Sequence, residues 1–146
     1  MTKDVLIAIR GMQFEGAEDP ESIEVIQKGQ YYQRNGSHYL VYEEPVEGTN
    51  EVIQNRIKFK EKEVQVTKKG AINTMLSFKE NEKNMTNYAT PFGNLIMGIN
   101  THQIDLKMNE SKLEIHVDYG LDVNYEFLAD CKIAITATSL NQENLF

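Results

Sequence analysis

The sequence predicts an all-β fold, an antiparallel up-and-down β-barrel of about eight to nine strands. Apolar and polar residues alternate along most of the chain, as expected of strands that place one face on a core. Short turn-forming stretches separate the alternating segments, and no window shows a convincing helical period. Short, sequential turns favour a meander, and closure into a barrel would remove exposed strand edges.

The clearest local signal is a β-hairpin in the first third of the chain. Asn35-Gly36 stands directly between two alternating segments, and this arrangement is the strongest short-range hairpin signature because both turn positions favour a positive φ. The same alternation predicts strands over residues 5–10, 22–34, 38–42, 52–59, 64–67, 71–78, 95–99, 113–119 and 131–137. Tyr125 and Phe127 continue the parity of the strand at 113–119, and the polar run 79–84 is interpreted as a connection.

Length and charge limit the possible partners. The 146 residues fit a single domain, 1–146, with a polar C-terminal tail at 139–146. The net charge of −7 disfavours nucleic acid and acidic membrane surfaces, since both are recognised largely through cations. The apolar run that ends at Arg10 is too short for an export signal, and the one cysteine excludes an intrachain disulfide. We therefore expect a cytoplasmic protein.

Signals for catalysis are missing from the sequence. There is no glycine-rich phosphate loop, no Cys-x-x-Cys pair and no Gly-x-Ser-x-Gly elbow. His38, His102 and His116 lie in separate segments without the spacing of metal ligands. Cys131 shares the parity of neighbouring isoleucines and is expected to be a small core residue. The sequence therefore predicts no catalytic residues, no metal site and no cofactor.

Side chains that combine an apolar body with a polar tip are the best candidates for ligand contacts. The chain has seven tyrosines and no tryptophan, and such tyrosines line ligand cavities or form cross-strand aromatic pairs. Arg10 shares parity with Leu6 and Ala8, which makes it the arginine that we expect to face inward, where it would form a structural ion pair or anchor an acidic ligand. The predicted ligand-binding residues are Arg10, Tyr39, Tyr42, Tyr88, Phe92, Met97 and His102.

Three strings of the chain together resemble a known family. They are residues 31–44 (Tyr-Tyr-Gln-Arg-Asn-Gly-Ser-His-Tyr-Leu-Val-Tyr-Glu-Glu), 78–82 (Phe-Lys-Glu-Asn-Glu) and 88–93 (Tyr-Ala-Thr-Pro-Phe-Gly). In this order and spacing they resemble the YwiB-like family of small bacterial proteins, over nearly the whole chain. The resemblance implies a lipocalin-like barrel in the bacterial cytoplasm, and it implies no activity and no catalytic residues.

These observations lead to two main hypotheses about function. The first is a non-catalytic barrel that binds a small, partly apolar ligand in its interior or at its mouth. The alternative is a protein–protein interaction module or homodimer that uses an exposed strand face, because apolar residues fall on both parities at 25–26 and 95–97. An enzyme that acts on a small metabolite is a third possibility, which would require inward titratable groups with opposed pKa shifts.

Overall fold

A computed structural model describes residues 3–13, 21–70, 73–90 and 93–140, which form ten antiparallel strands. The strands are β1 (Lys3–Gln13), β2 (Glu21–Arg34), β3 (Ser37–Pro45), β4 (Val52–Lys60), β5 (Glu63–Gly70), β6 (Thr74–Lys79), β7 (Lys83–Thr90), β8 (Gly93–Met108), β9 (Lys112–Val123) and β10 (Glu126–Ser139). Among the described residues, none belongs to a helix long and apolar enough to cross a membrane.

The strands form one sheet that curves into a nearly closed barrel. Their order is β6-β5-β4-β3-β2-β1-β10-β9-β8-β7, so strands that are consecutive in the chain are neighbours and β1 pairs with β10. β6 and β7 stand at the two edges, and the Thr86 hydroxyl donates a hydrogen bond to the Met75 carbonyl at 3.1 Å between them. We call this place in the wall, where the sheet ladder is interrupted, the seam. The predicted all-β meander barrel is confirmed.

The structure has one strand more than the sequence predicts. The additional strand is β7, in which polar side chains face inward and an apolar side chain faces outward. Its inward positions include the polar residues Asn84 and Thr86, whereas Met85 is exposed on the outside. A strand whose core face is polar does not show the expected alternation, so β7 was not predicted, whereas residues 80–82 of the predicted connection do join β6 to β7.

The boundary between the last two strands also differs from the sequence prediction. Asn124 and Tyr125 form the turn between β9 and β10, with φ angles of 50° and 70°. The strand predicted at 113–119 therefore continues to Val123, and Tyr125 lies in the turn that follows it. A bulky residue is rare at a positive φ, so the side chain of Tyr125 indicated a strand position rather than a turn.

The bulkiest fully buried side chains lie in the lower half of the barrel, which is the end that carries the β2–β3 and β4–β5 turns. Asn35 and Gly36 form the first of these turns with φ angles of 52° and 80°, which confirms the predicted hairpin. The largest side chains with almost no exposed surface include Tyr31, Phe59 and Phe78. The upper half is the end that carries the β3–β4 and β9–β10 turns.

Candidate ligand-binding site in the upper half of the barrel

A row of inward-facing side chains crosses four adjacent strands in the upper half. The register pairs Tyr42 with Asn55, Asn55 with Lys68, and Lys68 with Thr74. Directly opposed residues of antiparallel strands have Cβ atoms about 4.5–5.5 Å apart. The fold itself therefore brings a phenol, an amide, an ammonium group and a hydroxyl together on the inner surface of the wall.

Asn55 holds an ion pair at the centre of this row. Its Oδ1 accepts a hydrogen bond from Lys68 Nζ at 2.9 Å, and its Nδ2 donates to Glu44 Oε1 at 3.3 Å. Lys68 Nζ also lies 3.4 Å from Glu44 Oε1. Asn55 is only 2% exposed, whereas the two charged side chains remain partly accessible to solvent. We call Glu44, Asn55 and Lys68 the polar cluster.

Tyr42 lies beside the polar cluster and keeps its proton. Burial, with a smaller contribution from the charge of Glu44, raises the pKa of Tyr42 to about 12. The hydroxyl is therefore neutral at physiological pH and can donate a hydrogen bond. Among the described residues, it has no hydrogen-bond partner of its own.

Close packing surrounds Gly29, beside the Cβ atom of Tyr42. A Cβ atom added to Gly29 would lie 2.4 Å from the Val41 carbonyl oxygen, 2.6 Å from Ile7 Cδ1 and 3.1 Å from Tyr42 Cβ. These distances are too short for ordinary contacts, so only glycine allows β2 to approach β3 closely here.

Apolar side chains near the seam complete the lining. Val66, Leu76, Met97 and Val123 face inward and pack against the core, yet each is only partly buried. Solvent therefore reaches part of the upper interior at these positions, whereas Leu121, Ala129 and Cys131 at the same end are buried. The Thr74 hydroxyl oxygen is buried in the same region without a partner among the described residues.

Aromatic packing closes the lower half of the barrel. The rings of Phe78 and Tyr119 meet edge to face with centroids 5.1 Å apart, which joins β6 to β9 across the interior. The Tyr31 hydroxyl lies 2.7 Å from His38 Nδ1, and Gln33 Nε2 donates to the same hydroxyl at 2.9 Å. Burial lowers the pKa of His38, which favours the neutral imidazole.

An open cleft of about 510 Å³ lies outside this closed end. Its lining includes His38, Lys62 and Ile104. Lys62 Nζ lies 3.4 Å from Glu80 Oε2, and the Ile104 amide donates to that same oxygen at 2.9 Å. Lys62 is therefore already paired with Glu80, although Glu61 and Asp105 also line the cleft.

The structure brings two of the seven predicted ligand-binding residues to the upper interior. Tyr42 lies in the polar row, and Met97 lies in the apolar lining. Tyr88 belongs to β7, where only its backbone is described, and Phe92 lies outside the described residues.

The remaining three predicted residues lie on the outside of the barrel. Arg10 is exposed, contrary to its expected inward orientation, because the apolar residues Val5 and Ile7 on the alternate parity of β1 occupy the core. Tyr39 faces outward and stacks on Tyr32 with ring centroids 4.8 Å apart. It therefore forms a cross-strand aromatic pair, which was the alternative to lining a ligand cavity. His102 is exposed at an irregularity in the pairing of β8 with β9.

Sequence reasoning missed the polar cluster although a signal for it exists. Asn55 occupies the apolar parity of its strand, between Ile53 and Ile57. Glu44 and Lys68 likewise stand two positions after apolar residues that face inward. A polar residue at an inward position must be hydrogen-bonded, so three such residues on neighbouring strands indicate a shared network.

The arrangement can bind and orient a molecule through its ammonium, carboxylate, amide and phenol groups. The described residues include no group of three or more side chains placed to hold a metal ion. The polar cluster with Tyr42 is therefore a set of hydrogen-bonding groups at the edge of an accessible apolar interior.

Comparisons with known proteins agree with this fold. Residues 7–135 match a family described as a domain of unknown function, DUF1934. The crystal structure of the YwiB protein from Bacillus subtilis superposes with a TM-score of 0.81 at 22% sequence identity, covering 94% of this chain and 92% of that one. A search of curated proteins found no match. Because the family match spans most of the 146 residues, the chain belongs to the DUF1934 family.

Proposed function

We propose that the upper half of the barrel binds a small, partly apolar molecule that carries an anionic or hydrogen-bonding group. The observation that carries this proposal is the polar cluster, which lies with the unpartnered Tyr42 hydroxyl inside an interior that solvent can reach. Ligand sites generally combine apolar walls with a few convergent polar groups. The upper interior has both features.

The walls and the polar groups would have different roles in binding. Burial of apolar ligand surface against Leu76 and Met97 would supply affinity, at roughly 25 cal/mol per Å². Lys68 has three N–H donors, of which two point to Asn55 and Glu44. Its third donor and the Tyr42 hydroxyl would fix the position of a polar group on the ligand.

Binding without catalysis is favoured by the protonation and pairing of these groups. A nucleophilic role would require a neutral lysine amine or a tyrosine phenolate. Lys68 is engaged in an ion pair with Glu44, and the raised pKa keeps Tyr42 protonated at neutral pH. The cluster therefore offers charge and hydrogen bonds and lacks an activated nucleophile.

The first test uses the anionic, aromatic dye anilinonaphthalene sulfonate as a probe. We expect the native protein to bind the dye with enhanced fluorescence, and Lys68→Met to weaken binding about tenfold, as loss of one charge-assisted hydrogen bond would. Lys69→Met is the matched control, because Lys69 is the next residue of β5 and is exposed. Equal dye affinity in the two variants would contradict the proposed site.

Native mass spectrometry tests the same proposal without a chosen probe. Protein purified from its own host should carry a small molecule that remains bound under gentle ionisation. The Lys68→Met variant should retain less of that molecule than the Lys69→Met variant does. Equal retention by both variants would show that the molecule binds elsewhere.

A further inference from the structure

Apolar side chains are exposed on the outer surface of β1 and β2, where a soluble barrel usually places polar ones. Ile26 is 57% exposed and Leu6 is 37% exposed. Both belong to strands whose inward residues, such as Val5 and Ile7, already supply the core. Contiguous exposed apolar surface commonly marks a site of protein–protein contact.

The sheet register joins these residues into one patch across β2, β1 and β10. Ile26 pairs with Ala8, Ala8 pairs with Thr136, and the next outward pair is Arg10 with Ala134. The small side chains of Ala8 and Ala134 leave a shallow depression between larger neighbours. We call the outward-facing surface of Leu6, Ile26, Ala8, Ala134 and Thr136, with the charged residues around it, the β1–β10 face.

Two connected depressions mark the β1–β10 face. A groove of about 470 Å³ and a second of about 240 Å³ share Arg10, His116 and Ala134 in their linings. A concave surface over the outer wall of a barrel can receive a protruding side chain from a partner. Ile26, at the edge of the same surface, is such a side chain.

Charged side chains of both signs line the two grooves. Among the described residues, three basic and three acidic side chains do so, in addition to His116, although the whole chain has a net charge of −7. They are Arg10, Lys107, Lys132, Asp105, Glu114 and Asp118. A uniformly charged partner would meet repulsion here, whereas a partner with the same mixture of charges can pair cations with carboxylates.

We propose that a second copy of this chain docks on the β1–β10 face to form a two-fold symmetric dimer. A two-fold axis places the same surface on both partners, so the surface must be complementary to itself. An apolar centre with a rim of balanced charges meets this condition, because rotation can place basic groups of one copy opposite acidic groups of the other. Ile26 of each copy would fill the depression over Ala8 and Ala134 of the other.

The dimer goes beyond the proposed ligand site and is independent of it. The β1–β10 face consists of outward residues, whereas the polar cluster and its apolar lining point into the barrel. Changes on this face therefore leave the groups around Lys68 and Tyr42 in place. Dye binding and oligomeric state can be measured separately on the same variants.

Light scattering coupled to size-exclusion chromatography, over a wide range of protein concentration, tests the proposal. We expect the native chain to have the mass of a dimer that dissociates on dilution. Ile26→Asp should be monomeric at the same concentrations, because it would bury a charge in the depression over Ala8 and Ala134 of the other copy. Val52→Asp is the matched control: Val52 is an exposed apolar residue at the start of β4, and this variant should remain dimeric.

A second variant keeps the test valid if Ile26→Asp alters folding. Ala134→Arg places a long cation in the depression without touching the core, and it should also yield monomers. Circular dichroism then confirms that each variant keeps the native β-sheet content. A native chain that is monomeric at every concentration would overturn the proposal, and so would a folded dimer of Ile26→Asp or Ala134→Arg.

Discussion

The Lys68 ammonium lies 2.9 Å from the side-chain oxygen of Asn55, on the inner wall of a barrel whose remaining lining is largely apolar. A lysine at such a position loses hydration that its partners must replace. Asn55 supplies one partner and Glu44 the other, at 3.4 Å. The arrangement keeps a charged donor at the edge of an accessible interior, which is the central feature of the proposed binding site.

Replacement of Asn55 should destabilise the fold. Asn55→Ala removes the acceptor of Lys68 and the donor to Glu44, so we expect the free energy of unfolding to fall by about 1–3 kcal/mol. Urea denaturation measures this change. Gln54→Ala removes a hydrogen bond to Glu43 on the exposed surface and should cost less than about 0.5 kcal/mol. Equal losses in the two variants would contradict the role of Asn55.

A methyl group at Gly29 should be poorly tolerated. Gly29→Ala would place a carbon 2.4 Å from the Val41 carbonyl oxygen and should destabilise the protein by about 1–3 kcal/mol through overpacking. Gly11→Ala is the control, since among the described residues no atom beyond Gly11 and its two chain neighbours lies within 4 Å of the added carbon. Thermal denaturation should show a lower midpoint for Gly29→Ala alone. An unchanged midpoint would mean that the strands separate easily at this position.

Alkaline pH should destabilise the protein partly through Tyr42. Its pKa rises from 10.0 in a model phenol to about 12 in the fold, so the unfolded chain loses this proton first. The contribution to stability is complete below pH 10 and is lost as the pH rises to about 12. Burial also raises the pKa of Tyr31 and Tyr119, so the measurement compares native protein with Tyr42→Phe. The variant should lose less stability over this range, and an identical loss would contradict the assignment.

Acidic pH should destabilise the protein partly through His38. Burial lowers the pKa of His38 below 6.5, so the unfolded chain binds the proton first as the pH falls. The contribution of neutral His38 is complete above pH 6.5 and is lost as the pH falls through its folded-state pKa. Urea midpoints at neutral and mildly acidic pH should show a smaller loss for His38→Gln than for His116→Gln, which removes an exposed imidazole. Equal acid sensitivity would contradict this account.

The fold could be predicted from the sequence because the core strands alternate regularly. Ile53, Ile57 and Phe59 stand on one parity of β4, and all three are buried. Prediction was less successful where the inner surface is polar, as at Asn84 and Thr86 of β7. Alternation identifies a strand through the apolar residues on one of its faces. β7 lies beside the seam and has few apolar residues facing inward, so alternation does not reveal it.

The candidate site was harder to predict because parity alone does not show which face points inward. Arg10 shares its parity with Leu6 and Ala8, and this apolar content suggested an inward face. Val5 and Ile7 stand on the other parity of β1 and are buried in the core, so Arg10 lies outside. The contacts of Asn55 depend on pairing among three strands, which local sequence patterns do not specify.

Methyl NMR of the methionines tests the location of the ligand most directly. Met97 faces the upper interior, whereas Met85 is exposed on the outside of the neighbouring strand, with its sulfur next to Gly98. Titration with anilinonaphthalene sulfonate should shift the Met97 methyl resonance and leave the Met85 resonance unchanged. A shift of Met85 without a shift of Met97 would place the bound dye on the outer surface and contradict ligand binding inside the barrel.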